Sequence, residues 1–498
     1  MDIIDCHVHP ELSGNYFEDI TRLTNRMLCH GIGKAILSDL GDGWQAFPDR
    51  VTLEAANERL RKAVFASKGR LEYLVYINPQ LDDWQSIFER YIADSCGVKL
   101  WISLRSEEYG LERTKDVLRL AASYDKAVLI HTFDRTNAPT SGAVGIADVI
   151  ELARSVPDCL IVAAHSGGNW RNAISHAEEI PENVVFDISG SYPERTMVQR
   201  LVSTFGSNRI LYGSDAFGRS FSSQLSKVFS CNFEESDLKK ILCENSIRVF
   251  KISAPEFAEK QNIPTWSIPK MNEDNFCFTG KGVYWDHDVS AQTLANEAER
   301  NNVGILYAAS LEALTASDFV KINLQHKVSC QPYSRIKPLA VADLRDMEQS
   351  LKTLELIDGF AGVLVSPYLH GYQLEYEKYA KFFDICGKQN IAVWINTALS
   401  DDRFRDARLD TRVVSTEEII AFAASAPVCR YTFQGCPADA SLSSKLPSWC
   451  RLECSRLSDH EYAPDAVFAQ GCPERFCFGS EYPFREFSTV SDVLGGRV

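Results

Sequence analysis

The stretch IIDCHVHP, residues 3–10, decides the interpretation of this chain, because it sets two histidines at the end of a short apolar run. Three later stretches have the same design: AVLIHT at 127–132, LIVAAHSGG at 160–168 and RILYGSDAF at 209–217. Each places a group that can bind a metal at or just past the C-terminal end of a predicted strand. A (β/α)8 barrel carries its catalytic residues at that end of its strands. The four stretches therefore favour a barrel enzyme.

Short apolar runs alternate with amphipathic helical stretches through the first half of the chain, which is typical of a parallel sheet built from βα units. The predicted strands are Ile3–His9, Lys34–Asp39, Leu71–Asn78, Gly97–Ile102, Ala127–Thr132, Cys159–His165, Val184–Ser189 and Arg209–Ser214. An open doubly wound sheet would more often have a glycine-rich nucleotide loop after its first strand, and this sequence has none there. The sequence therefore predicts an α/β fold that begins with a (β/α)8 TIM barrel over residues 1–252.

A weakened copy of this pattern follows a polar, proline-containing segment, 253–274, which we interpret as a linker. RFCFGSEYPF (475–484) matches RILYGSDAFG (209–218), IAVWINT (391–397) matches KAVLIHT (126–132), and FAGVLVS (360–366) matches SCGVKLW (95–101). Matches in the same order favour an internal duplication. We expect residues 275–498 to form a degenerate second TIM-like barrel, with an unrelated α/β domain as the alternative.

The copy loses the chemical residues of the first half, and no HxH pair opens it. The matches put Asn396 for His131, Leu364 for Lys99, roughly Phe433 for His165 and Glu481 for Asp215. One carboxylate without imidazoles cannot hold zinc tightly. We therefore expect a second barrel that is catalytically silent and free of metal ligands. It is expected to pack on the first as an intramolecular pseudo-dimer, with further homo-oligomers left open.

Composition narrows the class of partner. The formal net charge of −15 argues against a nucleic-acid groove or an anionic membrane surface. No basic leader and no long apolar run is present, so we expect a soluble, cytoplasmic protein with a small-molecule substrate and no nucleic-acid or membrane partner. Fifteen cysteines without CxxC pairs favour buried free thiols.

His7 and His9 are the first candidate metal ligands. They lie two residues apart on a predicted strand, so both side chains point to the same side, toward the barrel mouth, together with Asp5. Hydrogen bonding between two interior histidines is the alternative to metal ligation. His131 ends the fifth predicted strand and has the same two interpretations.

His165 and Asp215 complete the candidate site. His165 precedes a Ser-Gly-Gly turn and is interpreted as a further ligand, a base or a group that polarises the substrate. Asp215 ends the eighth strand, beside the first strand of a closed barrel, where it can ligate a metal and take a proton from bound water. A helix cap is the alternative role for this carboxylate.

Lys99 stands at the inward end of the fourth predicted strand, where a lysine is costly to bury unless it is paired or modified. Three interpretations stay open for this candidate catalytic residue. It could bridge two metals as a carbamate, bind a substrate carboxylate as a cation, or pair structurally with Asp5 or Asp187.

Taken together, these motifs resemble the metal-dependent amidohydrolase superfamily, in the branch with aminocarboxymuconate-semialdehyde decarboxylase, resorcylate-type decarboxylases and dicarboxylate lactonases. The stretches that carry the resemblance are DCHVH, GVKL, LIHT, AAHSGG, NVVFDISG, YGSDAF and ENSIRVF (244–250). The resemblance implies a distorted TIM barrel and a divalent metal, zinc or alternatively manganese or iron. It also implies that His7, His9, His131 and Asp215 hold the metal and that His165 acts on the substrate or its attacking water.

Two departures from the family pattern affect the substrate pocket. The usual aspartate-tyrosine-proline after the last strand reads Asp215-Ala216-Phe217, and the histidine-proline that often follows the strand-four lysine reads Trp101-Ile102. Substrate specificity therefore does not transfer from the family.

The first functional hypothesis is a metal-dependent hydrolase of a small carboxylated or cyclic amide, ester or lactone. Metal-activated water attacks, Asp215 takes its proton, and His165 or the metal polarises the carbonyl. Candidate partners for a substrate carboxylate are Arg105, Arg135 and Arg219, with solvated loop positions as the alternative. The second hypothesis is a non-oxidative decarboxylase, a lyase, of a small aromatic or enoic acid. The third is a non-catalytic metal-binding regulatory protein.

Overall fold

The computed structural model describes most of the chain, in eleven segments. These are residues 2–10, 15–101, 110–134, 144–190, 192–255, 271–284, 287–399, 410–436, 440–459, 472–485 and 487. The chain divides into two compact units. They are Met1–Tyr192 with Thr196–Trp266, and Ser267–Val498 with Pro193–Arg195.

The first unit is built on an eight-stranded parallel sheet whose strands follow one another in sequence order. The strands are β1 (Ile3–Val8), β2 (Ile32–Leu37), β3 (Leu71–Tyr76), β4 (Gly97–Leu100), β5 (Ala127–Ile130), β6 (Ile161–Ala163), β7 (Val184–Asp187) and β8 (Ile210–Leu211). Each of the eight predicted strands is confirmed, within a few residues at its ends. The prediction of a (β/α)8 barrel is therefore confirmed.

Helices alternate with these strands, as a barrel requires. They are α1 (Tyr16–Cys29), α2 (Arg50–Ala66), α3 (Trp84–Tyr91), α4 (Gly110–Ser123), α5 (Ile146–Ser155), α6 (Trp170–Ser175), α7 (Met197–Phe205), α8 (Phe221–Phe229), α9 (Glu235–Lys239) and α10 (Asn245–Phe250). The strands they cover are buried almost throughout, since a parallel sheet in a barrel has packed atoms on both faces.

The first strand meets the end of the last strand and closes the barrel. The Cys6 N–H donates to the Tyr212 carbonyl at 3.0 Å. The fully buried Asp5 carboxylate accepts the N–H groups of His7 at 3.1 Å and Ser214 at 3.0 Å. One carboxylate thus ties the HxH stretch to the stretch that leads to Asp215.

The second unit repeats this architecture with a second eight-stranded parallel sheet. Its strands are β9 (Met271–Thr279), β12 (Val303–Ser310), β13 (Ile336–Ala342), β14 (Gly362–Val365), β15 (Val393–Asn396), β16 (Tyr431–Gln434), β17 (Cys450–Glu453) and β18 (Phe476–Cys477), and a small antiparallel pair, β10 (Val283–Tyr284) and β11 (His287–Asp288), follows the first of them. Because β9 begins at Met271, it reaches into the segment expected to be the linker.

Seven helices of the second unit are described. They are α11 (Ala291–Arg300), α12 (Phe319–Cys330), α13 (Met347–Glu355), α14 (Pro367–His370), α15 (Tyr376–Gln389), α16 (Thr416–Ser425) and α17 (Ala440–Lys445). With its eight-stranded sheet this confirms the predicted second TIM-like barrel.

The closure of the second barrel copies that of the first in detail. Buried Asp274 accepts the N–H groups of Phe276 at 2.9 Å and Ser480 at 3.0 Å, as Asp5 does from His7 and Ser214. Cys277 and Tyr482 form an isolated parallel β-bridge, as Val8 and Ala216 do in the first barrel. Repetition of this side-chain network is direct structural support for an internal duplication.

The strand register identifies the copies of the site histidines. Asp274 in the place of Asp5 puts Phe276 and Phe278 where the first barrel has His7 and His9. The prediction that His165 corresponds to roughly Phe433 is wrong. The ladders pair Ile130 with Ala163 and Ile395 with Phe433, so Phe433 corresponds to Ala163 and the copy of His165 is Gly435.

All fifteen cysteines are free, as the sequence predicts. Among the described residues, no helix is both long and apolar enough to cross a membrane.

The buried Asp274 gives the fold a testable pH dependence. Burial raises the pKa of its carboxyl from 3.8 to about 6, so the folded chain holds a proton that the unfolded chain loses, and the unfolding free energy falls as pH rises through this range. Asp274→Asn cannot ionise. The unfolding free energy of this variant minus that of the wild type should therefore rise by about 1 kcal/mol between pH 5 and pH 7.5. The measurement is the difference between the two melting temperatures at each pH.

The control for this measurement is Glu355→Gln, because that carboxylate is 65% exposed. Its melting temperature should follow the wild type at both pH values. Parallel pH profiles for Asp274→Asn and the wild type would contradict the role of Asp274.

Candidate active site

His7 and His9 lie side by side at the C-terminal end of β1, and both side chains are buried. The outward nitrogen of each ring has an acceptor: His7 Nδ1 is 3.0 Å from Asp187 Oδ2, and His9 Nδ1 is 2.8 Å from the Ser38 carbonyl. These partners assign a proton to each Nδ1, since a carboxylate and a carbonyl only accept. Each Nε2 therefore carries a lone pair.

Those two lone pairs face the same point. His7 Nε2 and His9 Nε2 are 3.2 Å apart, and Asp215 Oδ1 lies 3.3 Å from His9 Nε2 and 3.9 Å from His7 Nε2. Bonds of about 2.0–2.1 Å in a tetrahedral zinc site place their donor atoms roughly 3.3 Å apart. Three converging acceptors at these separations fit a divalent cation, and His7, His9 and Asp215 form one of two groups able to hold one among the described residues.

The second group shares His7 and adds His165 and Asp187, all buried. Asp187 ends β7 and was considered in the sequence only as a structural partner of Lys99. Its signal was nevertheless present, because VVFD ends an apolar strand in a carboxylate, just as each of the other site stretches places an imidazole or a carboxylate at the end of its apolar run.

His165 follows β6 in a left-handed conformation, with φ 53° and ψ 35°. Its Nδ1 lies 3.0 Å from the Ser189 carbonyl, which assigns the ring proton to Nδ1 and leaves Nε2 as an acceptor. That Nε2 is 3.1 Å from His131 Nδ1. His131 Nδ1 therefore donates a proton to His165 Nε2. This leaves His131 Nε2 with the lone pair that a metal ligand requires.

Lys99 is fully buried on β4, with Nζ 2.8 Å from His7 Nε2. Its amine therefore reaches the ring nitrogen that faces His9 and Asp215. Burial lowers the pKa of Lys99 to about 8. At neutral pH the amine is still mostly charged, with a minor neutral fraction.

The electrostatics of the cluster follow from burial and close packing. Burial lowers the pKa of His7 to about 3, and the nearby positive charge of Lys99 acts in the same direction. Burial by itself would raise the pKa of the Asp215 carboxyl, but the imidazoles of His9, His165 and His7 around it hold that pKa well below its usual range. His7 is therefore a neutral ring beside an ionised Asp215 carboxylate, the protonation state in which these two side chains bind metals.

Close approach requires glycine at position 190. Its φ is +66°, and a Cβ there would overlap His165 Nδ1 and lie 2.7 Å from Asp215 Oδ2. A side chain at this position would displace two site residues.

The three predicted substrate arginines have different outcomes. Arg219 lies just past β8 and donates from Nε to the Gly190 carbonyl at 3.0 Å, so it borders the site. Arg105 and Arg135 lie outside the described residues. Substrate binding by each of them stays a prediction.

Aromatic rings surround the ligand group. The Trp44 ring lies 4.9 Å from that of His9, and the rings of Trp101 and Phe133 lie 5.4 and 6.3 Å from that of His131. Trp44 is 47% exposed although it packs on a buried histidine. The sequence reasoning noted Trp101 only as a departure and missed Trp44, whose loop after β2 carries no pattern of its own.

The second barrel has a different group at the same place. Phe276 and Phe278 replace two imidazoles and join an apolar cluster that includes Leu364. Glu481, the copy of Asp215, lies 2.9 Å from Arg485 Nε, and both side chains are fully buried. An ion pair and apolar packing therefore occupy the place that the candidate cation site has in the first barrel.

One family of known proteins matches the part of the chain that forms the first barrel. The sequence profile of the amidohydrolase family matches residues 4–252, half of the chain. No match was found among curated proteins.

Among solved structures, the chain is similar to 2,6-dihydroxybenzoate decarboxylase from Rhizobium, with 16% identity over 50% of this chain and 99% of that one and a TM-score of 0.41. It is also similar to 5-carboxyvanillate decarboxylase from Sphingomonas paucimobilis, with 15% identity over 51% and 99% of the chains and a TM-score of 0.41. A third similar structure is the manganese complex of 5-carboxyvanillate decarboxylase from Novosphingobium aromaticivorans. Its identity to this chain is 14% over 50% of this chain and 96% of that one, with a TM-score of 0.39.

The matched residues, 4–252, include His7, His9, His131, His165 and Asp215. The chain therefore belongs to the amidohydrolase family.

Proposed function

We propose that the first barrel is a metal-dependent decarboxylase that removes the carboxylate of a small aromatic acid without oxidation. The observation that supports this reaction is the set of aromatic rings, Trp44, Trp101 and Phe133, around the imidazoles. Aromatic rings pack well against flat rings, so this mouth suits a planar substrate. An aromatic acid held by its carboxylate offers no amide or ester bond there, so the bond that can break joins ring and carboxylate.

The residues proposed to hold the metal are His7, His9, His131 and Asp215. A divalent cation, when bound, supplies Lewis-acid binding of substrate oxygens and lowers the pKa of a bound water. Zinc suits the nitrogen-rich ligand set, and manganese and iron are the alternatives.

The reaction requires one proton and no oxidant. A proton is added to the ring carbon that bears the carboxylate, the bond to the carboxylate breaks, its electrons stay on the ring, and carbon dioxide leaves. Doubly protonated His165 is proposed to deliver this proton from Nε2, because its Nδ1 is held by the Ser189 carbonyl, and to take a replacement proton from solvent water after each turnover. The cations proposed to attract the substrate carboxylate are Lys99 and Arg219.

Hydrolysis is the second candidate, supported by one observation. The Asp215 carboxyl is ionised and lies at the mouth with a 16% exposed side chain, so it can accept a proton from an attacking water. The order of the two reactions is thus reversed relative to the sequence-based hypothesis. The third hypothesis is a non-catalytic metal-binding regulatory protein. Such a protein needs metal ligands but no acid or base beside them, so the presence of His165 and Lys99 at the ligands favours an enzyme.

The remaining sequence-based expectations stay predictions. These are the boundaries 1–252, 253–274 and 275–498, the packing of the barrels as a pseudo-dimer, any further homo-oligomer, the cytoplasmic location, and the lack of nucleic-acid or membrane partners.

Product analysis tests the reaction. The metal-loaded enzyme is incubated in deuterated water with carboxyl-labelled hydroxybenzoic acids and, separately, with aromatic esters and lactones. We expect labelled carbon dioxide and one deuterium on the vacated ring carbon. Acid release from the esters without carbon dioxide from any acid would establish hydrolysis instead.

His7→Ala should remove bound metal and reduce turnover below detection, because it deletes a ligand shared by both candidate groups. His176→Ala is the matched control, since this histidine caps α6 away from the cluster. Metal content by mass spectrometry and turnover are measured on both variants. Full occupancy in His7→Ala would refute the ligand assignment.

His165→Asn should keep its metal and lose about 10²–10⁴-fold in turnover, the usual contribution of a positioned acid or base. The comparison is made at saturating metal, so that occupancy and turnover are separated. Loss of metal from this variant would instead identify His165 as a ligand.

A further inference from the structure

Asp187 makes more contacts with the site than any role considered for it in the sequence explains. Its fully buried carboxylate ends β7. Oδ2 lies 3.0 Å from His7 Nδ1. Oδ1 accepts the His165 N–H at 3.0 Å, the Ser189 N–H at 2.9 Å and the Ser189 hydroxyl at 2.5 Å. One side chain therefore touches a residue of β1 and the turn after β6.

We propose that Asp187 is the positioning residue of this site, which fixes the tautomer of His7 and the backbone of His165. This inference rests on the proposed function. The nitrogen of a histidine that binds a metal is set by the hydrogen bond that the other nitrogen makes. With its proton held on Nδ1 by Asp187, His7 presents Nε2 toward His9 and Asp215.

Ser189 strengthens the same assignment. Its hydroxyl donates to Asp187 Oδ1 and lies 2.9 Å from His7 Nδ1. Because the hydroxyl proton is committed to the carboxylate, the serine oxygen faces His7 as an acceptor. Both neighbours of Nδ1 thus require a proton on that nitrogen.

The second action of Asp187 concerns the turn after β6. His165 and Ser166 both have left-handed backbones, with φ 53° and 55°, a conformation that is unfavourable for residues other than glycine and persists only where the surrounding structure holds it. Asp187 accepts the His165 N–H directly, and the Ser166 hydroxyl donates to the Asp187 carbonyl at 3.1 Å. Asp187, at the end of β7, therefore fixes the backbone that orients the His165 imidazole.

The second barrel separates the two actions. Glu453 ends β17 and accepts the Gly435 N–H at 3.0 Å and the Ser455 hydroxyl at 3.0 Å, as Asp187 does from His165 and Ser189. The copy of His7, however, is Phe276, which has no ring nitrogen. The backbone contact persists where the site chemistry is lost, so the contact to His7 is the part specific to the metal centre.

The test compares Asp187→Asn with Glu453→Gln in the full-length protein. An amide at 187 can still accept backbone N–H groups through its oxygen, but it then presents an N–H to His7 Nδ1 and moves the ring proton to Nε2. We expect about a 10–100-fold loss of zinc affinity in chelator competition. Glu453→Gln should bind zinc as the wild type does. Asp187→Glu should recover most of the affinity, because Glu453 shows that glutamate fits this barrel position.

Nitrogen NMR of histidine in the metal-free protein gives a readout independent of activity. We expect His7 with its proton on Nδ1 in the wild type and on Nε2 in Asp187→Asn. A wild-type His7 protonated on Nε2 would overturn the inference, even if the variant fails to fold. Unchanged zinc affinity in folded Asp187→Asn, or equal losses in Asp187→Asn and Glu453→Gln, would overturn it as well. Absence of zinc binding by the wild type would refute the proposed function but leave the tautomer result standing.

Discussion

The pair of hydrogen bonds that Asp5 accepts from His7 and Ser214 is the interaction on which the site depends. His7 lies near the start of the chain and Asp215 more than two hundred residues later, and neither alone binds a cation well. Closing β1 on β8 brings His9 Nε2 within 3.3 Å of Asp215 Oδ1. The barrel topology therefore brings the candidate ligands together, and the buried Asp5 carboxylate connects the first strand to the end of the last.

The second barrel shows which parts of this design serve the fold and which serve the chemistry. Asp274 and Ser480 repeat the seam, and Glu453 and Ser455 repeat the contact between β17 and the turn after β16. The imidazoles and Lys99 have no counterparts in their places. Two phenylalanines and a buried Glu481–Arg485 ion pair fill the space instead. Buried charges must be paired, so Glu481 has a buried arginine as its partner where the first barrel has its candidate cation site.

Several parts of this structure were predictable from the sequence because they follow from local patterns. Apolar runs of four to eight residues mark buried parallel strands, so all eight strands of the first barrel were located. The spacing of His7 and His9 fixes that both side chains share a face of β1. The duplication was visible as ordered matches, but the position of Gly435 was not. Divergence had erased the imidazole, and only the hydrogen-bond ladder between β15 and β16 restores the register.

The sequence by itself determined the barrels, the approximate strand ends and the residue types able to bind a metal, because these depend on periodicity and on the chemistry of single side chains. Tertiary structure decided which atoms meet. The contact of Asp187 with His7 joins β7 to β1 across 180 residues, and the packing of Trp44 on His9 depends on a loop without a sequence pattern. Such contacts arise only when the sheet closes, since closure sets distances between side chains that no local pattern encodes.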